Sequence, residues 1–381
     1  MTPATAQAAS ELDSVRTAVR EFLARASPSS TVRALMDTER GYDDTVWRQM
    51  ANELGLHGIA VPERWGGAGA GMPELAVVFE EMGAALLCSP FFATVALALQ
   101  ALLSSNDESA VEEFAPALLD GSRVATLVLN GTLDAWDPGA VTIAGSQSDT
   151  GYRLSGSAPL VLDGYTADLI LVAANTVKGT SLFAVDAMAP GLEREPLRTL
   201  DRTRKVARLR FDNVSARLIG ADGEAAAGLA RTADLALVAL AAEQLGAAQR
   251  CLDTAVAYAK ERIQFGRAIG SFQAIKHRCA DMLLLVEGAR SAVFHASNAA
   301  DDRDRALAAS VAKVACSEAL LHVALDSMRI HGGIGFTWEH DAHLYVRRAK
   351  SAELMFGDPN FHLERLAELV PSSRHQPEGS S

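Results

Sequence analysis

The chain has 381 residues, of which 49% are hydrophobic and 22% charged, and its formal net charge is −12. This is the composition of a soluble globular protein, long enough for two or three domains or one large composite core. The acidic balance disfavours nucleic acid and anionic membrane as main partners, because phosphate surfaces reward basic proteins.

Taken in chain order, the first residues, Met1 to Ser14, lack the basic start and apolar core of a signal peptide. The cytoplasm is therefore the expected compartment. From about residue 10 to 122 the pattern is helical, with Leu12, Val15, Val19, Phe22 and Leu23 at helix spacing. Thr45 to Leu54 reads as a short helix ended by Gly55, and Pro73 to Leu87 as a helix opened by Pro. Pro90 to Leu103 and Val111 to Leu119 continue the bundle. The run Gly66 to Gly71 invites a dinucleotide-binding reading, but Pro62 and Arg64 break the strand that such a fingerprint needs. A tight turn between helices is the better reading.

The character changes at Gly121. Short runs rich in Val, Leu, Tyr and Thr alternate with Gly and Asp turns: Val124 to Leu129, Ala140 to Ile143, Tyr152 to Leu154, Leu160 to Leu162, Leu169 to Ala173, Ser181 to Val185 and Ala207 to Phe211. These predict an all-β unit of roughly 100 residues, a normal domain size. From Gly223 the chain is helical again, in Leu229 to Arg262, Gln273 to Asn298, Arg305 to His331 and Ala342 to Phe356. The apolar stretch Ala233 to Ala248 contains Asp234, Glu243 and Gln244, so it reads as a buried bundle helix rather than a membrane span. The expected organisation is an N-terminal α-helical domain over 1–121, a β domain over 122–222, a helical bundle over 223–370 and a disordered tail over 371–381. The fold class is thus mainly α with a β middle domain: an N-terminal helical bundle, a central antiparallel β-barrel or sandwich, and a C-terminal four-helix bundle.

The four cysteines, Cys88, Cys251, Cys279 and Cys316, form no CxxC pair and read as small hydrophobes in a reducing compartment. His331, His340, His343 and His362 lack the spacing of a zinc helix, so no metal site is expected. Arg262 and Gly266 have a plain reading as the last turn and cap of a helix, with Phe265 in the core. Gly332-Gly333 likewise reads as a helix-ending turn.

Several spaced motifs go further than this. Val61-Pro62-Glu63-Arg64-Trp65-Gly66-Gly67-Ala68-Gly69 and Glu80-Glu81-Met82-Gly83 stand near the start. Glu261-Arg262-Ile263-Gln264-Phe265-Gly266, Phe272-Gln273-Ala274-Ile275, Ala280-Asp281-Met282 and Ile330-His331-Gly332-Gly333-Ile334-Gly335-Phe336 stand near the end. Together, and over nearly the whole chain, these resemble the acyl-CoA dehydrogenase family. The resemblance implies FAD held between subunits, an acyl-CoA substrate, an electron-transferring flavoprotein as acceptor, and a dimer or tetramer, homo- or hetero-oligomeric. It implies cofactor contacts from Arg262, Phe265, Gln273, Gly332 and Gly333. Arg329 stands where the family usually has Gln, three residues before the glycine pair. An Arg fork suits a diphosphate, and a glycine pair lets backbone approach a ligand closely.

The same resemblance exposes a gap. The family removes a proton next to the thioester carbonyl with a buried carboxylate while a hydride leaves for the flavin, and losing such a base typically costs about 100- to 10,000-fold. In most members the base is the Glu of a Tyr-Glu-Gly-Thr run that follows Arg-Asp-Ala-Lys. Here Arg347-Arg348-Ala349-Lys350 leads to Met355-Phe356-Gly357-Asp358, with Phe356 in the place of the Glu. The position used by a minority of the family corresponds to Ala236. Two carboxylates remain as candidates. Glu243 lies seven residues beyond Ala236 on the same helix face, about 10 Å along the axis, where the family keeps a small residue lining the acyl pocket; its plain reading is a buried, paired Glu. The favoured reading of Asp358 is the cap of a helix opened by Pro359. The segment from Leu129-Asn130-Gly131-Thr132 to Trp136-Asp137-Pro138-Gly139 matches the family's flavin-facing middle-domain motif poorly. The readings that follow are an acyl-CoA dehydrogenase with an unusual base, the base-lacking subunit of a heteromeric dehydrogenase, a flavin monooxygenase on the same fold, or a non-catalytic structural paralogue.

Overall fold

The computed structural model describes residues 3–130, 134–149 and 151–370, with side chains from residue 10 onward. The predicted tail over 371–381, and Gly131 and Thr132 of the middle-domain segment, lie outside the described residues.

Six helices come first: α1 (Pro3–Ala26), α2 (Ser29–Met36), α3 (Asp44–Asn52), α4 (Met72–Ala84), α5 (Leu99–Leu103) and α6 (Glu108–Leu119). Capping follows the residues available. Asp43 accepts from the amides of Thr45 and Val46 at the start of α3, and Asp107 from that of Ala110 in α6. The run before α5 is a π-helical stretch, Phe92–Ala98, fully buried. Thr94 within it exchanges hydrogen bonds with the backbone of Ala125, at 3.0 and 3.1 Å. That stitch ties the helical domain to the first strand. The glycine loop after Pro62 is a turn with no strand before it: a 3-10 turn (Glu63–Trp65) leads through it into α4. A Cβ on Gly67 would lie 2.1 Å from the Val61 carbonyl oxygen, so the chain crosses itself here without room for a side chain.

The β region contains β1 (Ala125–Val128), β2 (Ala144–Ser148), β3 (Gly151–Leu162), β4 (Leu169–Thr176), β5 (Gly179–Asp186), β6 (Leu192–Pro196) and β7 (Val206–Ile219). Pairing runs from β4 to β5, β7, β3 and β2, and β2 returns to β4 at Asn175. β1 takes the rest of that β4 edge, and β6 adds to β7. The expected antiparallel character needs correction at two ladders, because β1 and β2 both run parallel to β4. Two predicted fragments, at 152–154 and 160–162, belong to the single strand β3, which crosses Gly156 (φ 144°) at a bulge. The predicted strand over Ala140 to Ile143 is a 3-10 turn and connector, since Asp137 caps the Gly139 amide there and the strand begins at Ala144.

The C-terminal part holds α7 (Ala226–Glu261), a short hairpin β8 (Ile263–Gln264) and β9 (Arg267–Ala268), then α8 (Gln273–Ser297), α9 (Asp302–His331), α10 (Ala342–Leu354) and α11 (Pro359–Leu369). α7 to α10 are the four helices expected, and α11 packs on α9 as a fifth. α9 is long and apolar enough to cross a bilayer, but most of that stretch is buried among its neighbours, as in a core helix. α4 and α7 meet backbone to backbone through two glycines. A Cβ on Gly83 would fall 1.9 Å from the Glu243 carbonyl oxygen, and one on Gly246 would fall 1.7 Å from that of Glu80. This contact fixes the height at which Glu243 enters the interior.

Candidate functional site

Phe356 stands just past the end of α10, where Met355 is extended and Phe356 turns left-handed at φ 58°. The helix predicted to reach Phe356 therefore stops at Leu354. A left-handed non-glycine residue needs support from its surroundings. His362 supplies part of it through Nε2, 2.9 Å from the Phe356 carbonyl oxygen. Burial lowers the His362 pKa to about 4, so the ring is neutral, and its Nε2–H donates, since a carbonyl can only accept. Lys313, fully buried on α9, donates to the Ala352 and Glu353 carbonyl oxygens at 2.6 and 3.0 Å and to Ser317 Oγ at 3.2 Å. It thereby satisfies the open end of α10, and burial pulls its pKa down to about 7. The Phe356 ring stacks against Phe92, with centroids 6.0 Å apart and planes 16° from parallel.

Beside that ring pair lies a network of buried charges. The loop between β6 and β7 folds on Asp201, whose Oδ1 accepts from the Thr203 amide and hydroxyl. That turn aims Arg204 inward. Arg204 donates to Glu243 Oε2 at 2.5 Å, lies 2.8 Å from Met355 Sδ, and covers the Phe92 ring at 5.3 Å. Arg348 of α10 donates to the other Glu243 oxygen, to Asp201 Oδ2 at 2.8 Å and to Thr203 Oγ1 at 2.6 Å. Burial opposes both guanidinium charges. For Arg204 burial prevails over Glu243 and its pKa falls, whereas for Arg348 the two carboxylates prevail and its pKa rises. Asp163, at φ 49°, faces the same space, and burial raises its carboxyl to about 7 against the pull of Arg204, Lys205 and Arg348. The space left among these groups is about 20 Å³, room for a single water. A larger groove of about 520 Å³ lies on the far side of α4, among Arg20, Glu81 and Asp253, away from Phe356.

Both carboxylate candidates are thus engaged. Glu243 is paired through both oxygens, and not within the helical bundle alone, because one partner comes from the β domain. Asp358 accepts from the Phe361 amide at 2.8 Å and caps α11. Asp163 and the Asp201–Arg204 turn escaped the sequence reading. Two arginines and an aspartate within four residues of a β-domain loop were the available signal.

The other singled-out residues gather at one end of the bundle, where α7 and α9 finish and α8 starts. Tyr258 of α7 packs on His331 of α9, with centroids 4.6 Å apart, and Arg278 of α8 and Arg329 of α9 share Asp326. Gly266 does not cap α7, which ends at Glu261. It completes the β8–β9 turn with Phe265, both at positive φ, the geometry favoured by two-residue hairpins. Phe265 is not core but 90% exposed. Arg262, Gln273, Arg329 and Gly333 are also exposed, and nothing lies within 4 Å of a Cβ built on Gly332 or Gly333. The donor set of this end, two guanidiniums, an amide and a bare glycine pair beside an exposed ring, fits a diphosphate carrying an aromatic group. In the middle domain, Asn130 instead closes its own loop by donating to the Ala135 carbonyl. Among the described residues no group of three His, Cys, Asp or Glu side chains could hold a metal.

Residues 9–122 match the family model "Acyl-CoA dehydrogenase, N-terminal domain", and residues 231–370 match "Acyl-CoA dehydrogenase, C-terminal domain". The acyl-CoA dehydrogenase IpdE2 of Mycobacterium tuberculosis is 36% identical over 94% of this chain and 97% of its own. Among solved structures, a variant of the Tcur3481-Tcur3483 steroid ACAD is 33% identical, with a TM-score of 0.84 over 95% of this chain and 98% of that one. The ChsE4-ChsE5 complex of Mycobacterium tuberculosis is 28% identical, with a TM-score of 0.85 over the same shares.

Proposed function

The chain belongs to the acyl-CoA dehydrogenase family, and from that premise we propose that it is the base-lacking subunit of a heteromeric, FAD-dependent acyl-CoA dehydrogenase acting on steroid-type acyl thioesters. The observation that carries this reading is the pairing of a spent interior with an open bundle end. Phe356 replaces the base and Glu243 has no free oxygen, while the residues suited to a flavin diphosphate face outward. The names of the similar proteins support it: one is a steroid ACAD and another a complex of two differently named chains.

In this reading Arg262 and Arg329 hold the diphosphate of an FAD seated on the partner chain, Phe265 and Gln273 flank it, and Gly332-Gly333 admit its close approach. When bound, FAD accepts the hydride taken from the acyl chain. This chain positions and shields the cofactor, and the partner provides the base and the acyl pocket. An electron-transferring flavoprotein is the expected acceptor and the cytoplasm the expected compartment. To test this, the chain is expressed alone and with a dehydrogenase-like chain encoded beside it, and flavin is measured by absorbance. Little FAD alone and about half an equivalent per chain in the complex is expected for one shared site per pair. Nearly one FAD per chain alone would overturn the reading in favour of a self-sufficient enzyme, and no flavin in either preparation would sink the tight-cofactor reading.

A further inference from the structure

We propose that Asp201, Arg204, Glu243 and Arg348 form a bolt that fills the acyl cavity of this chain and pins its β domain to its helices, so that the chain takes up no acyl thioester itself. The proposal rests on the preceding reading for the identity of the ligand, and on the geometry for the rest. The cavity lined by Phe92, Asp163, Arg204, Glu243 and Arg348 retains about 20 Å³, less than any acyl chain needs. The side chains that occupy it are not loose. Two cations meet two anions, and each of the four is buried: Asp201 2%, Arg204 8%, Glu243 6% and Arg348 3% exposed. Removing four charges from water is costly and is offset only by close, complete pairing. Here each charge meets one of opposite sign. Arg348 reaches Asp201, Thr203 and Glu243, and Arg204 reaches Glu243.

The bolt also joins three parts of the molecule. Asp201, Thr203 and Arg204 come from the β6–β7 loop, Glu243 from α7 and Arg348 from α10. An acyl chain entering this space would have to displace the Arg204 and Arg348 side chains that pair with Glu243. Directional ion pairs set one orientation of the β domain, whereas apolar side chains of similar volume would fill the space without setting it.

A charge-balanced double variant tests this. Arg204→Ala with Glu243→Ala removes one cation and one anion and leaves Arg348 paired with Asp201. Octanoyl-CoA is titrated calorimetrically into the flavin-loaded complex, with circular dichroism to verify folding. The wild-type complex is expected to take at most about one octanoyl-CoA per two chains, and the double variant up to about twice that. Refilling the space with Arg204→Met and Glu243→Met returns the wild-type stoichiometry. Uptake of octanoyl-CoA by every wild-type chain would overturn the proposal, as would a folded Ala variant with unchanged stoichiometry. If the Ala variant does not fold, the wild-type stoichiometry decides. Flavin content, read on the same samples, judges the heteromer reading separately: FAD on the isolated chain would end that reading and leave the bolt to the octanoyl-CoA titration.

Discussion

The interior around Phe356 and the bundle end around Phe265 differ in how far this chain completes them by itself. In the interior, Arg204, Arg348, Asp201 and Glu243 have partners within the chain, and a strained Phe356 is held from two sides. At the bundle end an equally strained Phe265 is 90% exposed, and arginines and bare glycines face outward. Strain held by packing belongs to a finished structure, and strain displayed on the surface points to something that arrives later. In the reading proposed above, function in this chain lies at its edge, while its centre holds the packing together.

Changes to the interior should be costly in stability. Arg348→Met leaves Asp201 and Glu243 without their shared cation and is expected to cost about 3–5 kcal/mol, as for a broken buried pair. Urea unfolding would show this, and a loss below about 1 kcal/mol would mean that the interior tolerates disorder.

The pH dependence sharpens the same point. Burial raises the Asp163 carboxyl from its ordinary value to about 7. The folded chain therefore binds this proton more tightly than the unfolded chain. Its contribution is fully present below about pH 4 and is lost as the pH rises to about 7, with a ceiling of about 4 kcal/mol. Asp163→Asn is expected to flatten that part of the stability profile and to raise stability at pH 8. A profile identical to the wild type would show that Asp163 is solvated in the folded state.

Asp358→Ala removes the α11 cap beside the interior, with an expected loss of about 1 kcal/mol in thermal melts. Arg262→Ala, on the exposed end, should change stability by less than about 0.5 kcal/mol. It should nevertheless lower the flavin content of the complex. If its effect fell on melting temperature rather than on flavin, the contrast between the two regions would fail.

Much of the fold was legible because it repeats locally. Helix periodicity marks α7, α8 and α9 to within a few residues, and the change at Gly121 announces the strands. Phe356 in the place where the resembled motif has Glu was legible too, since it depends on one residue in a spaced motif. Errors arose where a local signal had two outcomes. Gly266 can end a helix or turn a hairpin, and Arg262, already extended at φ −70° and ψ 119°, decides for the hairpin. The two fragments of β3 join because Gly156 bends a strand without ending it.

What the sequence by itself determined is the alternation of helical and β segments, the family and the presence of Phe356 within its motif, all properties of neighbouring residues. Only the tertiary structure decided what became of Glu243. Its partners lie 39 residues before it and 105 after it, in a β-domain loop and in another helix. No periodicity relates such positions, and a buried carboxylate takes its character from whichever cation the fold brings to it.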